Sequence, residues 1–150
     1  MNNINQSKTI DKLNHLITIA EDGKVGYESA AEHLKDTEIK SSFMLFSKDR
    51  SIYATNLRQI VEQLNGESEG KGGDTLGSIH RVWIDLKSSF TNGDTEAIVN
   101  ACITGEEAAI KEYNLVLDDD DIPKSYKPLV AEQLGGIEQT LAKIRLHVQQ

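Results

Sequence analysis

Two charged residues of this 150-residue chain stand where the helical pattern predicts apolar side chains. Arg50 fills the gap in one stripe of apolar residues spaced three or four apart, and Glu106 interrupts another. A guanidinium and a carboxylate match in a two-bond fork, and neither charge is stable alone in a core. The pattern therefore predicts a buried Arg50–Glu106 ion pair. The stripes are Ile39, Phe43, Phe46, Tyr53, Leu57, Ile60 and Leu64 around Arg50, and Ile98, Cys102, Ala109, Tyr113 and Val116 around Glu106.

Polar residues also interrupt the other two long apolar stripes. Gln133 stands near the middle of the last stripe, and Lys24 near the middle of the first. We expect Gln133 and two tyrosine hydroxyls to complete the hydrogen bonds of the ion pair. A second interpretation stays open, in which the aliphatic stem of Arg50 carries its charge out to water. The predicted polar core layer consists of Arg50, Glu106, Gln133, Tyr53 and Tyr113.

Other residues able to bind a metal lack the spacing of a metal site. None of the four histidines pairs with another histidine or a cysteine at ligand spacing, so zinc is not expected. His80, close to Trp83, is expected to be a hydrogen-bonding residue that fixes its helix rather than a ligand or proton carrier. The run 118–121 lacks the glycine and ligand alternation of a calcium loop, and predicts a solvated turn whose last aspartate caps the final helix. The histidines are His15, His33, His80 and His147.

Composition excludes several classes of protein. The net charge is −8, from 16 basic and 24 acidic residues, and no basic stripe is visible, so nucleic acid is not an expected partner. The single cysteine, Cys102, excludes an intramolecular disulfide, and its apolar neighbours predict a buried, inert thiol rather than a nucleophile. The amino terminus lacks the apolar core of a signal peptide, and no run is long enough to span a membrane. We expect a cytoplasmic protein of one domain, residues 1–150.

Helical periodicity runs through almost the whole chain, and alternating patterns of useful length are absent, which predicts an all-α fold. The first two long helices are predicted at about 7–34, beginning near Ser7 or Thr9, and about 37–65, ending at Asn65-Gly66. The glycine-rich segment GESEGKGGD is predicted to be a flexible linker. A shorter helix follows over Leu76 to Phe90 and ends at Asn92-Gly93. The last two long helices are predicted from Asp94 or Thr95 to about Leu117, and from Pro123 to about 148.

These lengths predict two antiparallel helical hairpins joined by a long connection that contains the extra helix. This is the connectivity of a ferritin-like four-helix bundle. Gly135-Gly136 inside the last helix costs about 2 kcal/mol of helix propensity, so an aromatic ring, Trp83 or a tyrosine, is expected to fill the space. A small ligand pocket there is the less favoured alternative.

Three motifs in this order resemble the uncharacterised bacterial four-helix-bundle family of the ferritin-like superfamily, a domain of unknown function. They are EDGKVGYESAAEHL, HRVWIDLKSSFTNGD and GEEAAIKEY, and the resemblance covers about residues 8–148. It implies a ferritin-like fold. Metal-binding members of the superfamily hold two iron or manganese ions by inward glutamates and two Glu-x-x-His pairs.

Few of those ligand types stand at the matching positions of this chain. Glu106, seven residues before Tyr113, matches a ligand glutamate. In the first helix, the resemblance implies a ligand glutamate seven residues before an inward tyrosine. Tyr27 matches that tyrosine, but the residue seven positions earlier is Ala20, and Glu21 lies one position away. The Glu-x-x-His positions fall on Arg50 and Tyr53, and on Glu138 and Leu141.

The sequence thus favours a metal-free bundle without cofactors, more a binding or structural module than an enzyme; a stress-related role is one option. Its expected partner is an unidentified protein or a second copy in a homodimer, with no nucleic acid and no membrane. The alternative is a degenerate di-iron or di-manganese protein with redox or iron-handling activity. Its ligands would be Glu21, Asp49, Glu106, Glu107 and Glu138.

Overall fold

The computed structural model describes the backbone of residues 3–67, 73–91 and 94–148, with side chains for 6–67, 80–91 and 94–147. The described residues form five helices and no strand, so the all-α prediction is confirmed. The predicted glycine-rich linker and the Asn92-Gly93 break lie largely outside the described residues, as do the side chains of Leu76 and Ile79. The helices are α1 (Asn3–His33), α2 (Thr37–Gln63), α3 (Gly73–Ser88), α4 (Thr95–Leu117) and α5 (Lys127–Val148).

Side-chain and backbone caps define the ends of α2 and the start of α4. The Asp36 carboxylate accepts hydrogen bonds from two backbone N–H groups in the first turn of α2. At the other end Asn65 takes a positive φ of 61°, and the Gly66 N–H donates to the Val61 carbonyl at 2.9 Å. This is a Schellman arrangement, which satisfies carbonyls that the helix leaves free. Of the two predicted caps for α4, Asp94 serves, accepting from the N–H of Ala97 at 2.8 Å.

Two predicted helix starts are wrong. Helix α1 begins at Asn3, before the predicted Ser7 or Thr9. Helix α5 begins at Lys127, because the Pro123 carbonyl accepts from the Tyr126 N–H in a separate turn. The proline in the first turn of α5 is Pro128. Proline is tolerated there because the N–H groups of the first turn have no acceptor within the helix.

The predicted cap of the last helix by Asp121 is also wrong. Helix α5 starts six residues later, at Lys127, so Asp121 does not hold the N-cap position. Asp121 instead approaches Lys8 of α1 at 4.0 Å, and its carbonyl accepts a hydrogen bond from Thr9. The turn after α4 therefore fastens to α1 rather than capping α5.

Each long helix runs antiparallel to its two adjacent long helices in the bundle. Helix α1 pairs with α2 and α4, and α5 pairs with α4 and α2, so α2 and α4 run in the same direction. The connection between them must return along the bundle, and α3 lies in that connection, against α1 and α4. The contacts between adjacent helices are Gln6–Leu64 and Lys24–Ser47 for α1–α2, Thr9–Asp121 and His15–Glu112 for α1–α4, Glu107–Arg145 and Tyr113–Gln133 for α4–α5, and Tyr53–Gln133 for α2–α5. Phe46 of α2 and Lys143 of α5 also line one groove.

Trp83 fastens α3 to the bundle. Its side chain is buried, and its indole ring lies over Gly26 of α1 and Gly105 of α4. A Cβ atom at either glycine would overlap the ring. These two glycines cost helix propensity, about 1 kcal/mol each, but they admit an aromatic side chain whose burial contributes more. None of the described helices is long and apolar enough to cross a membrane.

The indole contact predicts opposite effects for two glycine-to-alanine substitutions. Gly105→Ala should destabilise the protein by about 1–3 kcal/mol, because its methyl group overlaps Trp83. The control is Gly135→Ala in α5, where no atom lies within 4 Å of the added Cβ, and a gain of about 0.5–1 kcal/mol is expected. Urea denaturation measures both. In a Trp83→Ala background the cost of Gly105→Ala should vanish, and a cost that persists there would contradict the indole contact.

Candidate functional site

Arg50 of α2 and Glu106 of α4 meet at the centre of the bundle. Their side chains are 1% and 0% exposed, and Arg50 Nη2 donates a hydrogen bond to Glu106 Oε2. Both residues lie on the inward stripe of their helices, which places them at facing positions. Arg50 does not extend its stem to solvent, so a full guanidinium charge lies inside the protein.

Two tyrosine rings flank the guanidinium. The Cζ atom of Arg50 lies 5.7 Å from the ring centroid of Tyr27 and 5.8 Å from that of Tyr53. Both distances suit cation–π attraction, which strengthens where water is excluded. Tyr27 is not a member of the predicted polar core layer. Its position two helical turns after Ala20, which is also buried, is the sequence signal that could have placed it at the centre.

Gln133 connects Tyr113 to α2 rather than to the ion pair. The Tyr113 hydroxyl donates to Gln133 Oε1 at 2.8 Å, and Gln133 Nε2 donates to the backbone carbonyl of Tyr53 at 3.2 Å. The predicted role of the Tyr53 hydroxyl is therefore wrong, since this hydroxyl packs against Gly136. A Cβ atom at Gly136 would overlap it, so a tyrosine, and not Trp83, fills the space beside the paired glycines of α5.

Lys24, predicted on the inward stripe of α1, lies at the edge of the bundle. Its side chain is 38% exposed, and its Nζ lies 3.9 Å from Glu28. One residue earlier, about 100° around the helix, Gly23 faces the stem of Arg50 instead. A residue without a side chain leaves room for the arginine, whereas a lysine there would place two cations in contact.

The ion pair leaves several polar atoms buried without a hydrogen-bond partner among the described residues. They are Arg50 Nε and Nη1, Glu106 Oε1 and Tyr27 Oη. The described contact between the two side chains is thus one hydrogen bond, rather than the two-bond fork that the sequence predicts.

Burial and the two charges shift the protonation of this site. Burial raises the pKa of Glu106, and the Arg50 guanidinium and Tyr27 hydroxyl only partly oppose that rise. Burial alone would lower the pKa of Arg50, but the Glu106 carboxylate outweighs it and the pKa rises. Arg50 therefore stays charged at every physiological pH, and Glu106 is the member of the pair that titrates. Burial also raises the pKa of Tyr27, Tyr113 and Cys102, which keeps all three protonated.

The five carboxylates of the alternative metal site do not come together. Glu106 pairs with Arg50, and two others pair at the surface with arginines of neighbouring helices, Glu21 with Arg58 and Glu107 with Arg145. Asp49 and Glu138 are exposed. The described residues hold no group of three side chains able to bind a metal ion. The residues at the bundle centre, with a guanidinium among them, do not fit a di-metal centre.

Three histidines make local or inter-helix hydrogen bonds. His80 Nδ1 lies 3.0 Å from Asp22 Oδ1, an interaction that ties α3 to α1. His15 Nε2 lies 3.0 Å from Glu112 Oε1 and ties α1 to α4, a contact that the sequence did not reveal. His33 Nδ1 lies 2.8 Å from the carbonyl of Ser29, one turn earlier in α1.

The fold and site define a helical-bundle protein with a guanidinium–carboxylate pair in its core. Residues 8–119 match the family described as Domain of unknown function (DUF2383), and the chain belongs to that family. The matched part runs through α1 to α4 and includes Arg50, Trp83 and Glu106. It ends before α5, short of the residue 148 that the resemblance implied. Comparison with curated proteins found no significant match.

Replacing one member of the central ion pair should destabilise the protein more than replacing both members. Glu106→Leu strands a guanidinium and Arg50→Met strands a carboxylate, so each should destabilise the protein by about 3–5 kcal/mol. The double variant should recover much of that loss, because neither charge must then leave water. A double-mutant cycle in urea measures the coupling.

The matched control is the Arg58–Glu21 pair, which also joins two helices but has side chains 36% and 39% exposed. Its single substitutions should each cost no more than about 1 kcal/mol. A coupling below about 0.5 kcal/mol for Arg50–Glu106 would show that the two charges do not depend on each other.

The damage caused by Arg50→Met should grow with pH. Without the guanidinium, the pKa of Glu106 rises further above its ordinary value of 4.5, so the folded protein binds the proton more tightly than the unfolded chain. Stability is then highest below that ordinary value and falls as pH rises through the folded pKa. The reference is Arg50→Met/Glu106→Gln, which lacks the titrating carboxylate. The free energy of unfolding of Arg50→Met, measured relative to this reference, should be larger at about pH 5 than at about pH 8. An equal difference at both pH values would exclude titration of Glu106.

Proposed function

We propose that this protein is a ferritin-like four-helix bundle in which the Arg50–Glu106 pair takes the place of a di-metal centre, and that it acts as a binding or structural module. The arrangement of the helices supports the ferritin-like assignment. Two antiparallel hairpins, α1–α2 and α4–α5, pack so that α2 and α4 run in the same direction, joined by a long connection that contains α3. A long crossover between hairpins is one of the established bundle topologies.

The observation that carries the proposal is the guanidinium beside Glu106. A carboxylate buried in a bundle needs a positive partner, and in the di-metal proteins the metal ions supply it. Here Arg50 supplies it, and an arginine does not lose its proton in a protein. A divalent cation at this place would meet a fixed positive charge in a region of low dielectric, where like charges repel strongly.

The protonation of the neighbouring groups supports binding rather than catalysis. A general base or nucleophile must lose its proton near neutral pH. Burial raises the pKa of Tyr27, Tyr113 and Cys102 and therefore keeps them in the protonated form, while the Glu106 carboxylate is engaged by Arg50. The central layer thus specifies the packing of α2 against α4, and the outer faces of the helices are left for recognition.

Metal content is the direct test. The protein, expressed in medium rich in iron and manganese and passed through gel filtration, should hold less than about 0.1 equivalent of iron, manganese or zinc per chain, because a structural site with several protein ligands would retain its metal. Glu106→Gln should give the same value. Added Fe²⁺ or Mn²⁺ should not raise the thermal midpoint, since a ligand stabilises only a state that binds it.

Two metal equivalents that survive gel filtration and are lost on Glu106→Ala would overturn the proposal. They would favour the redox or iron-handling alternative. Oxygen-dependent oxidation of Fe²⁺ that exceeds the Glu106→Gln background would have the same meaning.

A further inference from the structure

The outer side of α2 carries apolar side chains that no described part of the chain covers. Leu45 is 62% exposed and Met44 is 52% exposed, and Leu146 of α5, 59% exposed, lies across a groove from Leu45. Phe46 forms part of the groove, which has a volume of about 300 Å³. A second depression of about 700 Å³ lies on the other side of Leu45, towards α1. Contiguous exposed apolar surface with a concave shape is typical of a protein-binding site.

The charges around this surface are mainly positive. The two depressions are lined by Lys24, Lys48 and Lys143 but by one carboxylate, Glu28, which lies 3.9 Å from Lys24. Neither Lys48 nor Lys143 makes an ion pair with a described residue. A basic rim on a chain of net charge −8 is a local reversal of the overall sign. Complementary charge in a partner would raise the rate and specificity of association.

We propose that this surface, hereafter the α2–α5 groove, binds an acidic amphipathic helix of a partner protein. The proposal names the partner class for the binding role proposed above and rests on that role. The part of α2 that borders the two depressions, Ser41 to Ser51, extends about 15 Å, which suits two to three turns of a partner helix. Apolar residues at spacings of three, four and seven would contact Leu45 and Leu146, and flanking Asp or Glu would reach Lys48 and Lys143. Met44 adds a flexible side chain that adapts to different apolar partners.

Two other occupants are disfavoured by the same residues. A symmetric dimer through this groove would place Lys48 and Lys143 of one copy against the lysines of the other, and like charges at an interface oppose association. An anionic membrane attracts basic residues by about 1 kcal/mol each, so two lysines without ion pairs give weak binding. The groove is also concave between α2 and α5, whereas insertion into lipid needs apolar side chains that project beyond their surroundings.

A displayed library of random 16-residue peptides, selected against the whole protein, tests the proposal. Enriched peptides should carry net negative charge and apolar residues at helical spacing. Their dissociation constant should rise at least tenfold for Leu45→Ser/Leu146→Ser, the loss expected when two central apolar contacts are removed. The control is Leu115→Ser in α4, a site 58% exposed and outside the groove lining, which should change the constant less than about twofold.

Charge reversal provides a second arm. Lys48→Glu/Lys143→Glu should weaken the acidic peptides at least tenfold and favour basic ones. Circular dichroism checks that the variants remain helical, which is expected since both lysines are exposed.

Several outcomes would overturn the proposal. In the peptide selection, these are enrichment of basic peptides on the wild type, or no enrichment that depends on Leu45 and Leu146. In sedimentation, a dimer that Leu45→Ser/Leu146→Ser dissociates would show that a second copy occupies the groove. Flotation of the wild type, but not of that variant, with phosphatidylserine vesicles would show that the groove binds a membrane. A negative result here leaves the metal content unaffected, so it is distinguishable from failure of the metal-free bundle, which the elemental analysis measures independently.

Discussion

Two opposite charges removed from water at the centre of the bundle impose the strongest constraint on how its helices pack. Moving a single ion from water into a protein interior costs several kcal/mol even after relaxation, and only a well-placed partner offsets that cost. Arg50 and Glu106 meet this requirement only when α2 and α4 keep their present rotation and register. A shift by one turn would leave both charges without a partner. The pair thus selects one arrangement of the helices, a role in specificity that is compatible with a small net contribution to stability.

Close helix approach is the second constraint, and it is met by pairing glycines with aromatic side chains. Gly26 and Gly105 admit Trp83, and Gly136 admits Tyr53. Each glycine weakens its own helix, but the ring that it accommodates buries a large apolar area between two or three elements. The result is that the Trp83 ring helps to hold α3, the helix in the connection between the two hairpins, against α1 and α4.

Helix α2 combines the two features that distinguish this molecule from an ordinary amphipathic bundle. Its inner side carries a charged residue, Arg50, and its outer side carries three exposed large apolar residues, Met44, Leu45 and Ile52. The inner feature is compensated within the chain by Glu106 and two tyrosine rings. No described residue covers the exposed apolar side chains on the outer side. For this reason we assign the central ion pair a role in packing and the outer surface a role in recognition.

The sequence by itself determined the helices and the inward position of Arg50 and Glu106, because helical periodicity is a local property that adjacent turns of one chain display. Only the tertiary structure decided what stands opposite each inward position. Gly23 rather than Lys24 faces Arg50, since a rotation of one residue about α1 exchanges them. Tyr27 joins the site, and Gln133 bonds to Tyr113 and to a backbone carbonyl, since these contacts depend on the register of helices that are distant in sequence. The carboxylates of the alternative metal site were separated for the same reason: periodicity reports which side of a helix is buried, and packing alone determines its neighbours.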